Sequence, residues 1–246
     1  MTFLGRCCGT LIEKNFLAGD TMIDSDLKDY IEREVIPRYD QLDTSHSSHH
    51  VRQVITNTFE ILDELANPNV DPQLCYTVAA YHDLGLLFGR QNHETRSKEL
   101  LLADQKLRRW FSLEQLTVMG EAVEDHRASL SYEPRSLYGK IISEADRDID
   151  FERILYRTFV YGIEKKGLRD FQALLTEAAA YMTEKYGPDS GLVFWLTYSK
   201  NQQQLAKLHR FLADEEAFAT ACRQTYAAIF SKKNGNDREA VTIGNR

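Results

Sequence analysis

Seven histidines occur in the 246-residue chain, and the ones that interrupt apolar helix stripes are those that can do chemistry. In the segment from 48 to 66, His50, Val54 and Ile61 fall on one stripe and His49, Gln53, Thr56 and Glu60 on another. At a 3.6-residue period His50 therefore faces inward and His49 faces water. The run from Cys75 to Phe88 is apolar almost all round, yet it carries His82 and Asp83 side by side. An ionised carboxylate inside such a helix is costly unless it is paired or bound to a cation. A His-Asp pair arises by chance often enough in a chain of this composition; its expected burial is what gives it weight. His126 shares a face with Leu116, Met119 and Val123, Asp146 shares one with Tyr138, Ile142 and Ile149, and His93 opens a helix after Asn92. Taken singly, each of these reads equally as a polar group satisfied by the backbone. Glu124, Asp125, Glu144 and Asp148 are expected on solvated faces. His46, at a helix entrance, and His209, on an exposed helix, are assigned no chemistry.

The elements that must position these groups are all helical. Segments with a 3.6-residue period run from about 25 to 38, 48 to 66, 72 to 87, 93 to 107, 112 to 127, 135 to 147, 149 to 164, 168 to 185, 190 to 212 and 214 to 230, and strand patterns are lacking. Turn chemistry separates them at Asn67 to Pro72, Ser131 to Pro134 and Tyr186 to Gly191. The reading is an all-α fold, a compact bundle of nine or ten helices. A single domain is expected over 22–230, preceded by a poorly ordered extension at 1–21 and followed by a flexible tail at 231–246.

In order along the chain, His50-Val51-Arg52-Gln53-Val54, then Ala79-Ala80-Tyr81-His82-Asp83-Leu84-Gly85, then Glu144-Ala145-Asp146-Arg147 resemble the ordered His, His-Asp, Asp motif of the HD-domain metal-dependent phosphohydrolase superfamily. The likeness spans roughly 45 to 165 and is nearest to the small stand-alone bacterial HD proteins. It implies an HD-type bundle in which His50, His82, Asp83 and Asp146 hold one divalent metal. His93 and His126 match the histidines that some members use for a second ion, with Asp83 bridging. The resemblance further implies that Asp83 orients a water or takes its proton, and that His126, where it is not a ligand, protonates the leaving oxygen. Arg127 and Arg147, each next to a site residue, are candidates to contact phosphate; Arg52, Arg90, Arg96, Lys98 and Lys140 lie near the motifs as well. The Gly-Tyr-Pro signature of the cyclic-dinucleotide-cleaving branch is missing, and Leu86 stands where another branch carries Lys.

A donor set of nitrogen and oxygen without thiolate suits one or two ions of Fe, Mn, Co, Ni, Zn or Mg. With 30 Lys plus Arg against 37 Asp plus Glu, a net charge of -7 and a pI near 5.6, the balance argues against a duplex nucleic-acid partner. No apolar run approaches the ~20 residues of a membrane span. Cys7, Cys8, Cys75 and Cys222 lack metal-type spacing, which fits a reducing cytoplasm. The expected activity is hydrolysis of a phosphoester in a small phosphorylated metabolite or nucleotide by a metal-activated water. The competing readings are a di-iron oxygenase and a non-catalytic metal- or nucleotide-binding regulatory domain. The stretch from 165 to 230 can supply a homodimer face, and Tyr156, Tyr161, Tyr181 and Trp195 are expected in the core.

Overall fold

A computed structural model describes residues 23–43, 46–128 and 130–242, with side chains as far as Ser231. Among the described residues there are ten α-helices and no strand: α1 Ser25–Tyr30, α2 Ser48–Leu65, α3 Pro72–Tyr81, α4 His93–Ala103, α5 Leu113–Glu124, α6 Leu137–Ala145, α7 Phe151–Lys165, α8 Phe171–Tyr186, α9 Ser199–Ala213 and α10 Glu215–Thr242. The all-α bundle expected from periodicity is what the chain adopts. The expectation for 1–21 lies outside the described residues, whereas the helical backbone of α10 reaches Thr242, past the point at 231 where a tail is expected to begin. None of the described helices is long and apolar enough to cross a membrane.

Helix starts follow capping chemistry. The Asp24 carboxylate accepts from the amides of Asp26 and Leu27 at α1, Asp71 from Gln73 at α3, and Ser112 and Gln115 form a reciprocal capping box at α5. Three helices, α1, α3 and α9, fall short of their periodicity by six residues or more. Pro37 has no N–H to donate, so the segment expected to run to 38 leaves the α geometry after Tyr30. It widens into a π turn at Ile31–Val35, whose closing bond runs from the Ile36 amide to the Ile31 carbonyl, and then tightens into a 3-10 turn at Ile36–Gln41. The 72–87 segment breaks at His82 and resumes as a 3-10 turn, Leu84–Phe88. The 190–212 segment is helical only from Ser199, and Gly191 within it takes a left-handed conformation with φ of 70°.

Packing divides the chain into two units, one ending at Ala145 and one beginning at Asp146, where one domain over 22–230 is expected. In the first, α2 lies against α3 and α6, and α5 against α3, α4 and α6. In the second, α7 to α10 enclose a core of Ile149, Phe151, Phe159, Met182, Leu208 and Cys222, with the Phe151 and Phe211 rings stacked at 4.0 Å. Tyr156, Tyr161 and Tyr181 are exposed rather than in this core. The buried stripe of α7 runs through Phe151, Ile154, Leu155, Phe159 and Ile163, which turns Tyr156 and Tyr161 to the other side.

Candidate metal centre

Three of the site histidines sit where a helix begins or ends, and each is oriented by the same local bond. His82 follows the last residue of α3, and its Nδ1–H donates to the Ala79 carbonyl at 2.8 Å. His126 lies just beyond α5 and donates from Nδ1 to the Val123 carbonyl at 2.6 Å. His93 is the first residue of α4 and donates from Nδ1 to the Arg90 carbonyl at 3.1 Å. A carbonyl accepts only, so the ring proton sits on Nδ1 and each neutral ring presents a lone pair at Nε2. For His82 and His126 the bonded carbonyl belongs to a terminal helix turn, which has no intrahelical partner to offer it.

All these Nε2 atoms point at one carboxylate. Asp83 Oδ2 lies 3.4 Å from His82 Nε2 and 3.7 Å from His50 Nε2; Oδ1 lies 3.3 Å from His93 Nε2 and 3.4 Å from His126 Nε2. Two ligand groups result, His50–His82–Asp83 and Asp83–His93–His126, with the atoms of each group within 4.8 Å of one another. Asp83 is 4% exposed and His82 fully buried, whereas the His50 side chain is 23% exposed and that of His93 11%. The cluster is therefore closed at His82 and opens past His50 and His93.

These dimensions suit a cation. Two atoms each about 2.1 Å from a shared ion at a tetrahedral angle lie about 3.4 Å apart, close to the four separations observed. Acceptors converging on a carboxylate need positive charge between them or protons on the rings. In the metal-free protein, burial pushes the Asp83 carboxyl up, but the charge of His82 and hydrogen bonds from His126, His82 and His93 outweigh it and hold Asp83 well below the usual carboxylate range. Burial likewise lowers His93, and its bond and charge interaction with Asp83 overcome this and raise it.

Asp146 is the first residue of the second unit and belongs to neither ligand group. The residue before it is anchored, because the Asn57 side-chain amide on α2, the helix of His50, donates to the Ala145 carbonyl at 2.7 Å. Arg127 is exposed and pairs through Nη1 with Glu94, the neighbour of His93, at 3.0 Å. Arg147 is buried in the second unit, donating to the Val193 carbonyl and lying over the Phe194 ring. Of the remaining basic residues, Arg52 pairs with Glu32, Lys98 with Glu124 and Lys140 with Glu133, and Arg96 lies over the Phe88 ring.

Two groups expected at solvent are buried. Asp125 is fully buried, accepting from the Arg135 guanidinium (2.7 Å from Nη2), the Arg135 amide and the Tyr132 hydroxyl. It falls past the end of α5, so a helical wheel does not apply to it. Glu144 is also fully buried, because α6 is enclosed along Ile141 to Ala145 rather than on one face. His46, set aside in sequence, stands at the open side: its ring centroid is 6.0 Å from that of His50 and its Nδ1 is 2.8 Å from Asp43. Because His46 precedes the first residue of α2, its spacing of four from His50 does not by itself fix this contact.

Searches of curated proteins and of solved structures give no match. The sequence model of the HD domain matches residues 48–148, a span that contains the whole His and Asp cluster and ends just beyond Asp146. Over residues 48–148 the chain is therefore similar to the HD-domain superfamily.

Proposed function

We propose that this HD domain is a metal-dependent phosphohydrolase acting on a small phosphorylated metabolite or nucleotide. One observation carries the reading: four imidazole Nε2 atoms face the two oxygens of a single buried carboxylate at 3.3 to 3.7 Å, in a superfamily whose members bind divalent metals. His50, His82 and Asp83 would hold one ion and His93, His126 and Asp83 a second, with Asp146 completing the first set. A divalent cation there supplies Lewis acidity, making a water acidic near neutral pH and offsetting charge on phosphoryl oxygens.

The chain's own groups supply the rest. The Asp83 carboxylate, fixed between the imidazoles, orients the attacking water or accepts its proton. His126, with its Nδ1 proton committed to Val123, offers Nε2 either as a ligand or, in a one-ion site, as the donor to the leaving oxygen. Arg127, exposed and paired with Glu94 beside His93, would supply forked hydrogen bonds to phosphate. Arg147, engaged with Val193 and Phe194, serves packing in this reading rather than substrate contact.

Elemental analysis of protein purified without chelators, followed by a screen for phosphate release with several divalent ions, tests the proposal. Bound metal and phosphate release are expected, with metal content well below stoichiometric in His82→Ala and Asp146→Ala at unchanged helicity. Full metal loading in both variants would defeat the assignment. A shared carboxylate between two nitrogen-rich groups also suits two irons, so oxygen consumption by iron-loaded protein without phosphate release would replace this reading with the oxygenase. Retained nucleotide binding without turnover, across several metals, would point instead to a non-catalytic regulatory domain.

A further inference from the structure

We propose that Tyr39, which lies upstream of the HD segment, is a positioning residue that holds the His82–Asp83 pair in ligand geometry. The inference rests on the reading that this pair grips a divalent cation. Tyr39 is fully buried in the 3-10 turn Ile36–Gln41, before the matched span begins at 48. Its hydroxyl makes two bonds: it donates to the Ala80 carbonyl at 3.0 Å and accepts from the Asp83 amide at 3.2 Å. The first group lies two residues before His82 and the second is in the peptide that joins His82 to Asp83, so a single oxygen fixes one peptide plane ahead of the ligand pair and the one within it.

The bonds fall where the helix can no longer supply them. Ala80 is in the last turn of α3, where carbonyls lack intrahelical donors, and Asp83 has left the α conformation with φ of -110° and ψ of 5°. The rest of the turn is held in the same way. His82 Nδ1 bonds the Ala79 carbonyl, and beyond the pair the Gly85 amide donates to Ser97 Oγ at 2.8 Å. From Ala79 to Gly85 the backbone is thus held by side chains, and Tyr39 is the one among these holders that comes from outside the HD segment. Partners that orient metal ligands typically contribute about 10- to 100-fold to metal affinity.

The test is a titration of the full chain with Co²⁺, followed by visible absorption, for wild type, Tyr39→Phe and Tyr138→Phe. Tyr39→Phe keeps the ring and removes only the hydroxyl. Tyr138→Phe removes a hydroxyl that accepts from the Asp71 amide at the opposite end of α3, and so reports any general effect of losing such a bond. Expected are an affinity about 10- to 100-fold weaker and an altered ligand-field spectrum in Tyr39→Phe, wild-type binding in Tyr138→Phe, and unchanged far-ultraviolet circular dichroism in both. Wild-type Co²⁺ affinity and spectrum in Tyr39→Phe would overturn the inference while leaving the proposed function standing; no Co²⁺ binding by wild type would overturn both. Should Tyr39→Phe not fold, hydrogen exchange in the wild type decides. The Asp83 amide should exchange more slowly once Co²⁺ is bound, and an unchanged rate would refute the coupling.

Discussion

Gly85→Ala is the sharpest single perturbation of the turn that carries Asp83. A Cβ at this position would lie 2.0 Å from the His93 carbonyl oxygen, 2.7 Å from the Ser97 amide nitrogen and 2.9 Å from Arg96 Cβ. All three belong to the first turns of α4 and none is the end of a flexible side chain. Restoring an ordinary contact of 3.4 Å to the carbonyl requires the start of α4 to retreat by about 1.4 Å. Carried in full to His93, that retreat widens its 3.3 Å separation from Asp83 Oδ1 to about 4.7 Å. Two atoms on opposite sides of one ion with bonds of about 2.1 Å are only about 4.2 Å apart, so the pair can no longer share it. The variant should lose the ion proposed for His93 and His126 and keep the one proposed for His50 and His82. Overpacking of this kind costs about 1–3 kcal/mol, which lowers Tm by several degrees. Elemental analysis and thermal unfolding of the same preparation read both effects. Wild-type metal content together with wild-type Tm would refute the reasoning.

Arg135→Met should destabilise the protein by about 2–3 kcal/mol, because it strips the guanidinium from the fully buried Asp125; the loss stays below the ~3–5 kcal/mol of a wholly buried pair since the Arg135 side chain is 35% exposed. Denaturant unfolding checks it, and a change under 0.5 kcal/mol, about the level of an ordinary surface substitution, would contradict the clasp. Stability of the metal-free protein should fall as pH rises through the His93 pKa, which sits above its ordinary value of about 6.5. Below the unfolded pKa that contribution is fully present; above the folded one it is gone. Metal needs the neutral ring, so the rise in Tm on adding metal should be larger at about pH 8 than at about pH 6, and the opposite trend would exclude His93 as a ligand. At acid pH the carboxyls held low should cost stability as they protonate. Burial raises Glu124 but Lys98 and Arg135 more than offset it, and burial raises Glu94 but its own amide and Arg127 do the same. Stability should therefore begin to fall as pH drops below about 4.5, seen as a falling Tm by circular dichroism, and a Tm independent of pH there would contradict these ion pairs.

The helices were legible because burial on one face leaves a 3.6-residue trace, and α2, α7 and α8 lie close to their expected limits. His50, His82, Asp83, His93 and His126 were legible because polar groups on apolar stripes stand out and their order along the chain resembles a known motif. Periodicity says nothing about where a helix stops. The break of the 72–87 segment at His82, which aims Nδ1 at Ala79, is bonded on either side of that residue by a hydroxyl 43 positions earlier, at Tyr39. Asp125 reads as solvated for the same reason: its partner Arg135 lies across a loop, ten residues on. His46 is silent in the sequence because nothing in its immediate neighbours shows that its ring meets that of His50.

Anomalous diffraction tests the central claim most directly, using crystals of protein purified without chelators and X-rays at the edge of whichever metal elemental analysis finds. The account predicts a peak about 2.0–2.2 Å from His82 Nε2 and from an Asp83 oxygen, and in the two-ion form a second peak beside His93 and His126. A chain that carries stoichiometric metal with no anomalous peak at Asp83 would contradict it.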